Sequence, residues 1–176
     1  EGFEAGGHNG REETTTMVLI PAVCAAVNIP VLAAGGIATG RQMLASMVLG
    51  AEGVQVGSRF VASNEASSHE NFKNLVINSG EGDTHLSLKQ LTPVRLLKND
   101  FFNLVQQAEN KGASTDELKK LLGRGRAKLG MFEGNLAEGE LEIGQVSAII
   151  KTIKPAAEIV QEMYKEYEEA LRQPVK

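Results

Sequence analysis

Two short apolar runs that end in glycine flank a helical pattern in the first third of the chain. Residues 31–34 are apolar throughout and stop at Gly35-Gly36, which predicts a fully buried strand of a parallel sheet. Residues 53–57 also end in glycine and predict a second strand. Between them, the spacing of Thr39 and Gln42 fits a capping box that opens a helix, which Gly50 stops. This order is typical of a βαβ unit.

The rest of the chain is predicted to be mainly helical. Pro21 favours the first turn of a short, mostly buried helix that ends at Val27. Farther along, apolar residues recur at helical spacing between glycine-rich turns. The later predicted elements are a helix over 65–79, an extended piece over 84–88, a long helix from Pro93 to Lys111 carrying Val94, Leu97, Phe101, Leu104 and Val105, a capped helix over 114–122, and terminal helices over 144–174.

Two predicted strands cannot close a barrel, and an eight-stranded α/β barrel needs about 250 residues. With 176 residues, the chain is therefore predicted to be an α/β protein that supplies the last two strands of a TIM (β/α)8 barrel and an appended helical region. The expected boundaries are 1–64 for the barrel portion and 65–176 for the helical region. A start without methionine, inside a motif, suggests a piece of a longer protein.

The composition narrows the class of protein. Hydrophobic residues make up 42% of the chain and the formal net charge is −4, which is sufficient for one core and argues against nucleic acid as a partner. No apolar run approaches the roughly 18 residues that cross a bilayer. Cys24 is the single cysteine, so there is no internal disulfide framework, and the cytoplasm is the expected compartment. No residues have the spacing of metal ligands.

The first ten residues contain four glycines and one histidine. Because glycine permits positive φ and a close approach to a flat ligand, this segment is predicted to be a loop, neither helix nor strand. His8 can gain or lose a proton near neutral pH, which suits catalysis. A frayed terminus with an incidental histidine explains the same residues. His69 and His85 are expected to have surface or structural roles.

The glycines that follow the two predicted strands indicate a phosphate site. Gly35-Gly36 and Gly57-Ser58 would lie at the carboxyl ends of neighbouring parallel strands, each before a helix start, where backbone N–H groups converge. In α/β barrels such a site follows strands seven and eight. The alternative is that these glycines only form turns. The spacing from Gly35 to Gly40 does not match the dinucleotide fingerprint G-x-G-x-x-G.

Three motifs carry a family resemblance: residues 4–8 (EAGGH), 33–40 (AAGGIATG) and 53–60 (GVQVGSRF). In order and spacing they resemble the C-terminal portion of the nitronate monooxygenase (2-nitropropane dioxygenase) and enoyl-acyl-carrier-protein reductase II family, which are FMN-dependent α/β barrels. The resemblance implies that His8 is the catalytic residue beside the flavin ring, and that the helical region covers the substrate cleft. The implied FMN contacts are Gly6, Gly35, Gly36, Gln55, Val56, Gly57 and Ser58, the last four around the phosphate.

The resemblance also implies the activity. An NAD(P)H-dependent enoyl-acyl-carrier-protein reductase of fatty-acid synthesis is favoured, because Glu1 stands where many monooxygenases have glutamine and the tail resembles reductase tails. The alternatives are a nitronate monooxygenase that oxidises alkyl nitronates with O₂, and a non-catalytic fragment of such an enzyme. The expected partners are a small or acyl-carrier-protein-linked substrate and the missing N-terminal half of the barrel, and a homodimer is compatible with the sequence.

Overall fold

The strands of the protein form two separate small sheets in a computed structural model that describes residues 1–173. One sheet is parallel and pairs β2 (Leu32–Ala34) with β3 (Gly53–Gln55). The other is antiparallel, with the strand order β1–β5–β4. Its strands are β1 (Gly7–His8), β4 (Thr84–Ser87) and β5 (Val94–Leu97).

Helices make up most of the remaining structure. The α-helices are α1 (Thr16–Ala26), α2 (Gly40–Val48), α3 (Ser58–Val61), α4 (Glu70–Asn78), α5 (Asp100–Asn110), α6 (Thr115–Leu122) and α7 (Ala156–Arg172). A π-helix spans Lys128–Phe132 and a 3₁₀-helix spans Gln145–Ile149. Over residues 1–173, no helix combines the length and the apolar character that crossing a bilayer requires.

The predicted βαβ unit is confirmed. The Thr39 hydroxyl accepts the Gln42 N–H at 3.2 Å, and the Gln42 side chain accepts the Thr39 N–H at 3.1 Å, so the capping box that begins α2 is complete. After α2, Gly50 has a φ of +108°, a conformation that costs glycine little. Helix α2 therefore connects the parallel strands β2 and β3 as a crossover helix.

The last helix completes the first turn of α2. The Glu166 carboxylate on α7 accepts the Gly40 N–H at 2.8 Å. A Cβ at Gly40 would overlap the Met163 carbonyl oxygen, so glycine is required for the close approach of the two helices. Ile159 and Met163 of α7 share a buried cluster with Ile20, Ala33, Ile37 and Ala51. The C-terminal helix is thus part of the same core as the βαβ unit.

The predicted helix from Pro93 is wrong over residues 93–99. Residues 94–97 form β5, and all four are buried between β1 and β4. The helical spacing of apolar residues was misleading because all four positions of this strand are buried, the charged Arg95 included, so exposure does not alternate along it. Helix α5 begins at Asp100, where the Asn99 side chain accepts the Phe102 N–H at 2.8 Å, and Leu104 is exposed.

Helix α1 differs from its prediction in both start and burial. It begins at Thr16, because the Glu4 carboxylate accepts the Thr16 N–H, and Pro21 lies inside the helix. Only Thr16 and Ile20 are buried, whereas Met17 is 64% exposed. Strand β2 is not fully buried either, since Leu32 is 64% exposed. Within the described residues, these elements therefore present apolar side chains to solvent.

Other strand and helix boundaries also differ from the predicted ones. The first ten residues were predicted to contain no strand, yet Gly7–His8 pairs with β5 as β1. Helix α4 begins five residues later than predicted, because the His69 side chain accepts the Asn71 N–H and acts as the N-cap. Residues 145–149 form a 3₁₀-helix, and α7 begins after Pro155. The predicted helix end at Pro174 lies outside the described residues.

Candidate active site

A cavity of about 570 Å³, called here the glycine cavity, lies at the carboxyl ends of β2 and β3. Its volume is in the range of small-molecule and cofactor sites. All seven predicted FMN contacts lie in its wall: Gly6, Gly35, Gly36, Gln55, Val56, Gly57 and Ser58. The two glycine corners therefore meet at one cavity, although the sequence separates them by about twenty residues.

Backbone conformation and packing within the protein both favour glycine at the Gly35-Gly36 corner. Gly35 has a φ of +95° and Gly36 a φ of +73°, which side chains rarely adopt. A Cβ at Gly35 would come within 2.9 Å of the Gly2 carbonyl oxygen. The Gly35 carbonyl in turn accepts the Thr16 hydroxyl at 2.9 Å. This corner is therefore shaped by the packing of the N-terminal segment and α1.

The N–H groups at the start of α2 are already paired. Those of Ala38 and Thr39 donate to the Gln42 side chain at 2.8 and 3.1 Å. The Gly40 N–H donates to Glu166, as described above. The sequence prediction placed phosphate-binding amides at both glycine corners, but the N–H groups of Ala38, Thr39 and Gly40, which follow Gly35-Gly36, are bonded within the protein. This leaves the second corner as the stronger candidate.

The Gly57 corner differs from the first corner in both its hydrogen bonding and its packing. Helix α3 begins there without a side-chain cap, and the first N–H groups of a helix have no partner within it. Gly57 has a φ of −100°, which any residue can adopt, and a Cβ there would meet no protein atom within 4 Å. Neither conformation nor packing in the described residues requires glycine. Open space at a glycine in the cavity wall fits a ligand that contacts the backbone, as a flavin phosphate would.

Ser58 connects this corner to the C-terminal region. Its hydroxyl accepts the Gly144 N–H at 2.9 Å. Gly6 lies close by, since a Cβ on it would overlap the backbone of residues 143–144. The Gln145 N–H also donates to the Glu4 carbonyl at 2.9 Å. The 143–145 segment thus joins the N-terminal loop to the Gly57 corner.

His8 lies in the wall of a second, smaller cavity. This cavity of about 250 Å³, called here the histidine cavity, also includes Arg126, Glu140 and Glu142 in its wall. Glu142 contributes to the walls of both cavities, so the two are neighbours. The His8 side chain is exposed. The backbone of β1 is held by β5, where Gly7 lies opposite Arg95 and His8 opposite Val94.

Arg95 fixes the segment that precedes His8. Its side chain is buried, and its Nε and Nη2 atoms donate to the Phe3 carbonyl oxygen at 3.1 and 2.8 Å. The guanidinium also lies 4.3 Å from the centroid of the Phe3 ring. Burial lowers the pKa of Arg95, with Glu4 and Glu13 opposing the effect. Residues 3–8 are therefore positioned from β5.

Replacing Arg95 by methionine should lower the free energy of unfolding of the full-length protein by about 2–4 kcal/mol. The reason is that the Phe3 carbonyl would lose two charged donors in a buried setting. Chemical denaturation of the flavin-bound protein would measure this. Arg41→Met, at an exposed position on α2, should change stability by less than about 0.5 kcal/mol. Equal effects of both changes would contradict a specific contribution from Arg95.

Two neighbouring carboxylates face His8. Glu140 is buried, and burial, with a smaller contribution from Glu142, raises its pKa to about 7. His8 and Arg126 act in the opposite direction. Burial also raises the pKa of Glu142, which His8 partly offsets. Sequence reasoning missed this pair, although the alternation of Glu140 and Glu142 in an extended segment could have indicated that both face one side.

The raised pKa of Glu140 predicts a pH-dependent stability. The folded state binds this proton more tightly than the unfolded state, so the contribution of Glu140 to stability is fully present below about pH 4.5 and is lost as the pH rises through about 7. Glu140→Gln should therefore stabilise the full-length protein at pH 8, by about 1–2 kcal/mol, and have little effect at pH 4.5. Thermal unfolding at both pH values tests this. Glu138→Gln, at an exposed position, should show no such dependence.

The profile of the nitronate monooxygenase family matches residues 1–166. The chain belongs to the nitronate monooxygenase family. The predicted family is thereby confirmed, and it is an enzyme family of FMN-dependent oxidoreductases. Within residues 1–173, no group of three or more His, Cys, Asp or Glu side chains could hold a metal ion.

Curated relatives carry the same family name. A probable nitronate monooxygenase of Staphylococcus saprophyticus is 39% identical over 122 residues, which are 63% of this chain and 34% of that protein. One of Staphylococcus aureus is 46% identical over 92 residues, 48% of this chain and 26% of that protein. The chain thus spans about a third or less of the length of these relatives.

Solved structures extend the match to almost the whole chain. FabK from Thermotoga maritima is 38% identical with a TM-score of 0.91, over 98% of this chain and 54% of that one. Nitroalkane oxidase from Streptomyces ansochromogenes is 27% identical with a TM-score of 0.78, over 99% of this chain and 52% of that one. The prediction of an α/β chain that forms part of a family barrel is confirmed, with about half of these structures covered.

Proposed function

We propose that this chain belongs to an NAD(P)H-dependent enoyl-acyl-carrier-protein reductase that uses FMN, and that it contributes the catalytic histidine and the flavin phosphate corner. The observation that carries the proposal is the glycine cavity, which combines an open backbone corner at Gly57 with carboxylates on the side of the N-terminal loop. Because the chain covers about half of its structural neighbours, the remaining barrel would come from the rest of the protein.

The residues for FMN have distinct expected roles. The backbone N–H groups at Gly57 and Ser58 would hold the phosphate, since α3 begins there without a cap. Gly35 and Gly36 would form the opposite corner, and Gly6 would let the N-terminal loop lie close to the ring. Gln55 and Val56 would complete the wall. FMN, when bound, supplies hydride transfer from NAD(P)H to the β-carbon of the enoyl thioester.

His8 would act on the thioester carbonyl. As the β-carbon is reduced, negative charge develops on the carbonyl oxygen, and a hydrogen bond from the imidazole would stabilise it. The pairing of β1 with β5 and the hydrogen bonds from Arg95 to the Phe3 carbonyl limit the movement of His8. The saturated product also needs a proton at its α-carbon, which His8 could supply by the same approach.

The charge of the cavity wall favours the reductase over the monooxygenase. Among the described residues that line the glycine cavity, the charged side chains are Glu1, Glu4 and Glu142, all acidic. These carboxylates would repel an alkyl nitronate, which is an anion at its reacting atoms, whereas an enoyl thioester is neutral there. The FMN phosphate is also an anion, so its binding would depend on the backbone N–H groups at Gly57 and Ser58. The names of the curated relatives favour the alternative activity, a nitronate monooxygenase that uses O₂.

One assay compares the two activities. The full-length protein would be tested for NAD(P)H oxidation with a crotonyl thioester, and for O₂ consumption with a nitroalkane anion. The proposal expects thioester-dependent NAD(P)H oxidation. Activity with the nitronate alone would replace the reductase by the monooxygenase. If the functional unit is a non-catalytic fragment, purification would yield a colourless species of 18.8 kDa without flavin absorbance.

A further inference from the structure

The histidine cavity has a wall that is largely apolar. The apolar side chains in it are Leu88, Leu91, Val94, Leu122 and Ala127. They come from the connection between β4 and β5, from β5 itself, from the end of α6 and from the segment that follows α6. Since the cavity is shaped by several elements, it is a formed feature of the fold rather than a gap between two side chains.

The charged groups of this cavity are poorly suited to bind an anion. Arg126 is the single basic side chain among its described lining residues other than His8. Its Nε donates to the Leu122 carbonyl, and its Nη1 to the Glu138 carbonyl at 2.9 Å. Its guanidinium also lies 4.7 Å from the centroid of the Phe101 ring. Glu140 and Glu142 would further oppose a phosphate or carboxylate ligand.

One wall of the cavity is held in a strained conformation. Leu88 is buried and has a φ of +58°, the single positive value for a non-glycine residue within 1–173. The Glu109 carboxylate of α5 accepts the Leu88 N–H at 3.0 Å, and the Leu88 carbonyl accepts the Leu91 N–H at 2.9 Å. These contacts keep the 88–91 connection in place. The apolar wall therefore does not depend on a mobile loop.

We infer that the histidine cavity receives the hydrocarbon tail of an enoyl thioester, an inference that rests on the function proposed above. With the thioester carbonyl at His8, the acyl chain must leave the reacting carbons toward a neighbouring apolar space. His8 lines the histidine cavity, and Glu142 lines both this cavity and the glycine cavity, so the two spaces adjoin beside the imidazole. Leu122, at the end of α6, would then set the chain length that is accepted.

A matched pair of substitutions tests this role. Leu121 and Leu122 are adjacent, partly buried, and packed on the same core cluster, but only Leu122 lines the cavity. The flavin-bound full-length protein and its Leu122→Trp and Leu121→Trp variants would be assayed with crotonyl and decenoyl thioesters. Leu122→Trp should lower the ratio of kcat/KM for decenoyl to crotonyl by about tenfold or more, whereas Leu121→Trp should leave it within about twofold.

The outcomes separate the inference from the proposed function. An unchanged ratio in folded, flavin-bound Leu122→Trp would overturn the acyl site while the reductase activity stands. If the parent protein reduces neither thioester, the proposed function fails and the inference fails with it. Should Leu122→Trp not fold, Leu122→Ala decides, because the loss of apolar contact with the tail should lower the same ratio several-fold. Leu121→Ala is its control.

Discussion

Gly57→Val in the full-length protein is expected to abolish flavin binding without unfolding it. A Cβ at this position would meet no protein atom within 4 Å, and the φ of −100° is open to valine. The added side chain would instead take up the space next to the backbone where we propose that the phosphate lies. The absorbance of the purified variant should show no bound flavin. Titration with FMN should show an affinity at least about a hundredfold lower than that of the parent protein.

The chain offers a matched control for this change. A Cβ at Gly10 would also meet no protein atom within 4 Å, and Gly10 has no positive φ, but it does not line the glycine cavity. Gly10→Val should therefore keep both the melting behaviour and the flavin. Gly36→Val should lose flavin as well, but with a cost in stability, since its φ is +73°. Full flavin occupancy in Gly57→Val would remove the phosphate from this corner.

His8→Ala is expected to reduce turnover by roughly 10²-fold or more while leaving the flavin bound. The imidazole is exposed and the backbone of β1 is held by β5, so its removal should not disturb the fold. The expected loss reflects the missing hydrogen bond or proton at the substrate carbonyl. Steady-state kinetics and the flavin spectrum of the full-length variant would measure the two effects separately.

His85→Ala controls for the loss of a histidine in the same sheet. His85 lies on β4, its side chain is exposed, and its ring stacks edge-on against Phe102 at 5.5 Å. It lines neither the glycine cavity nor the histidine cavity, so turnover should stay within about twofold of the parent. Unchanged turnover in His8→Ala would exclude this residue from the mechanism.

The parts of the fold that could be predicted are those specified by local signals. The capping box at Thr39, the glycine at position 50 and the two apolar runs together determine β2, α2 and β3, and each acts over a few residues. Strand β5 could not be recognised in this way. Its four residues, the charged Arg95 included, are all buried and show no alternation of exposure, and its state is decided by pairing with β1, more than 80 residues away in the sequence.

Some residues of the candidate site could likewise be predicted from the sequence, whereas others could not. Gly35 and Gly36 could be found because their positive φ values favour glycine, whereas Gly57 could be found because it ends a predicted strand. The surroundings of His8 could not, because Arg95, Glu140 and Glu142 reach it only through the folded antiparallel sheet. The hydrogen bond from the Gly40 N–H to Glu166 could not be predicted either, because the two residues are 126 positions apart. The roles of the predicted site residues and the division at residue 64 stay predictions.

The hydrogen bond from the Gly40 N–H to the Glu166 carboxylate also has a consequence for folding during protein synthesis. The two residues are 126 positions apart, so a ribosome releases the glycine corner long before the helix that supports it. Domains begin to fold while the chain is still being made. The start of α2 must therefore wait, with its Gly40 amide in water, until α7 emerges. The hydrogen bond between Gly40 and Glu166 can form only after α7 has been synthesised.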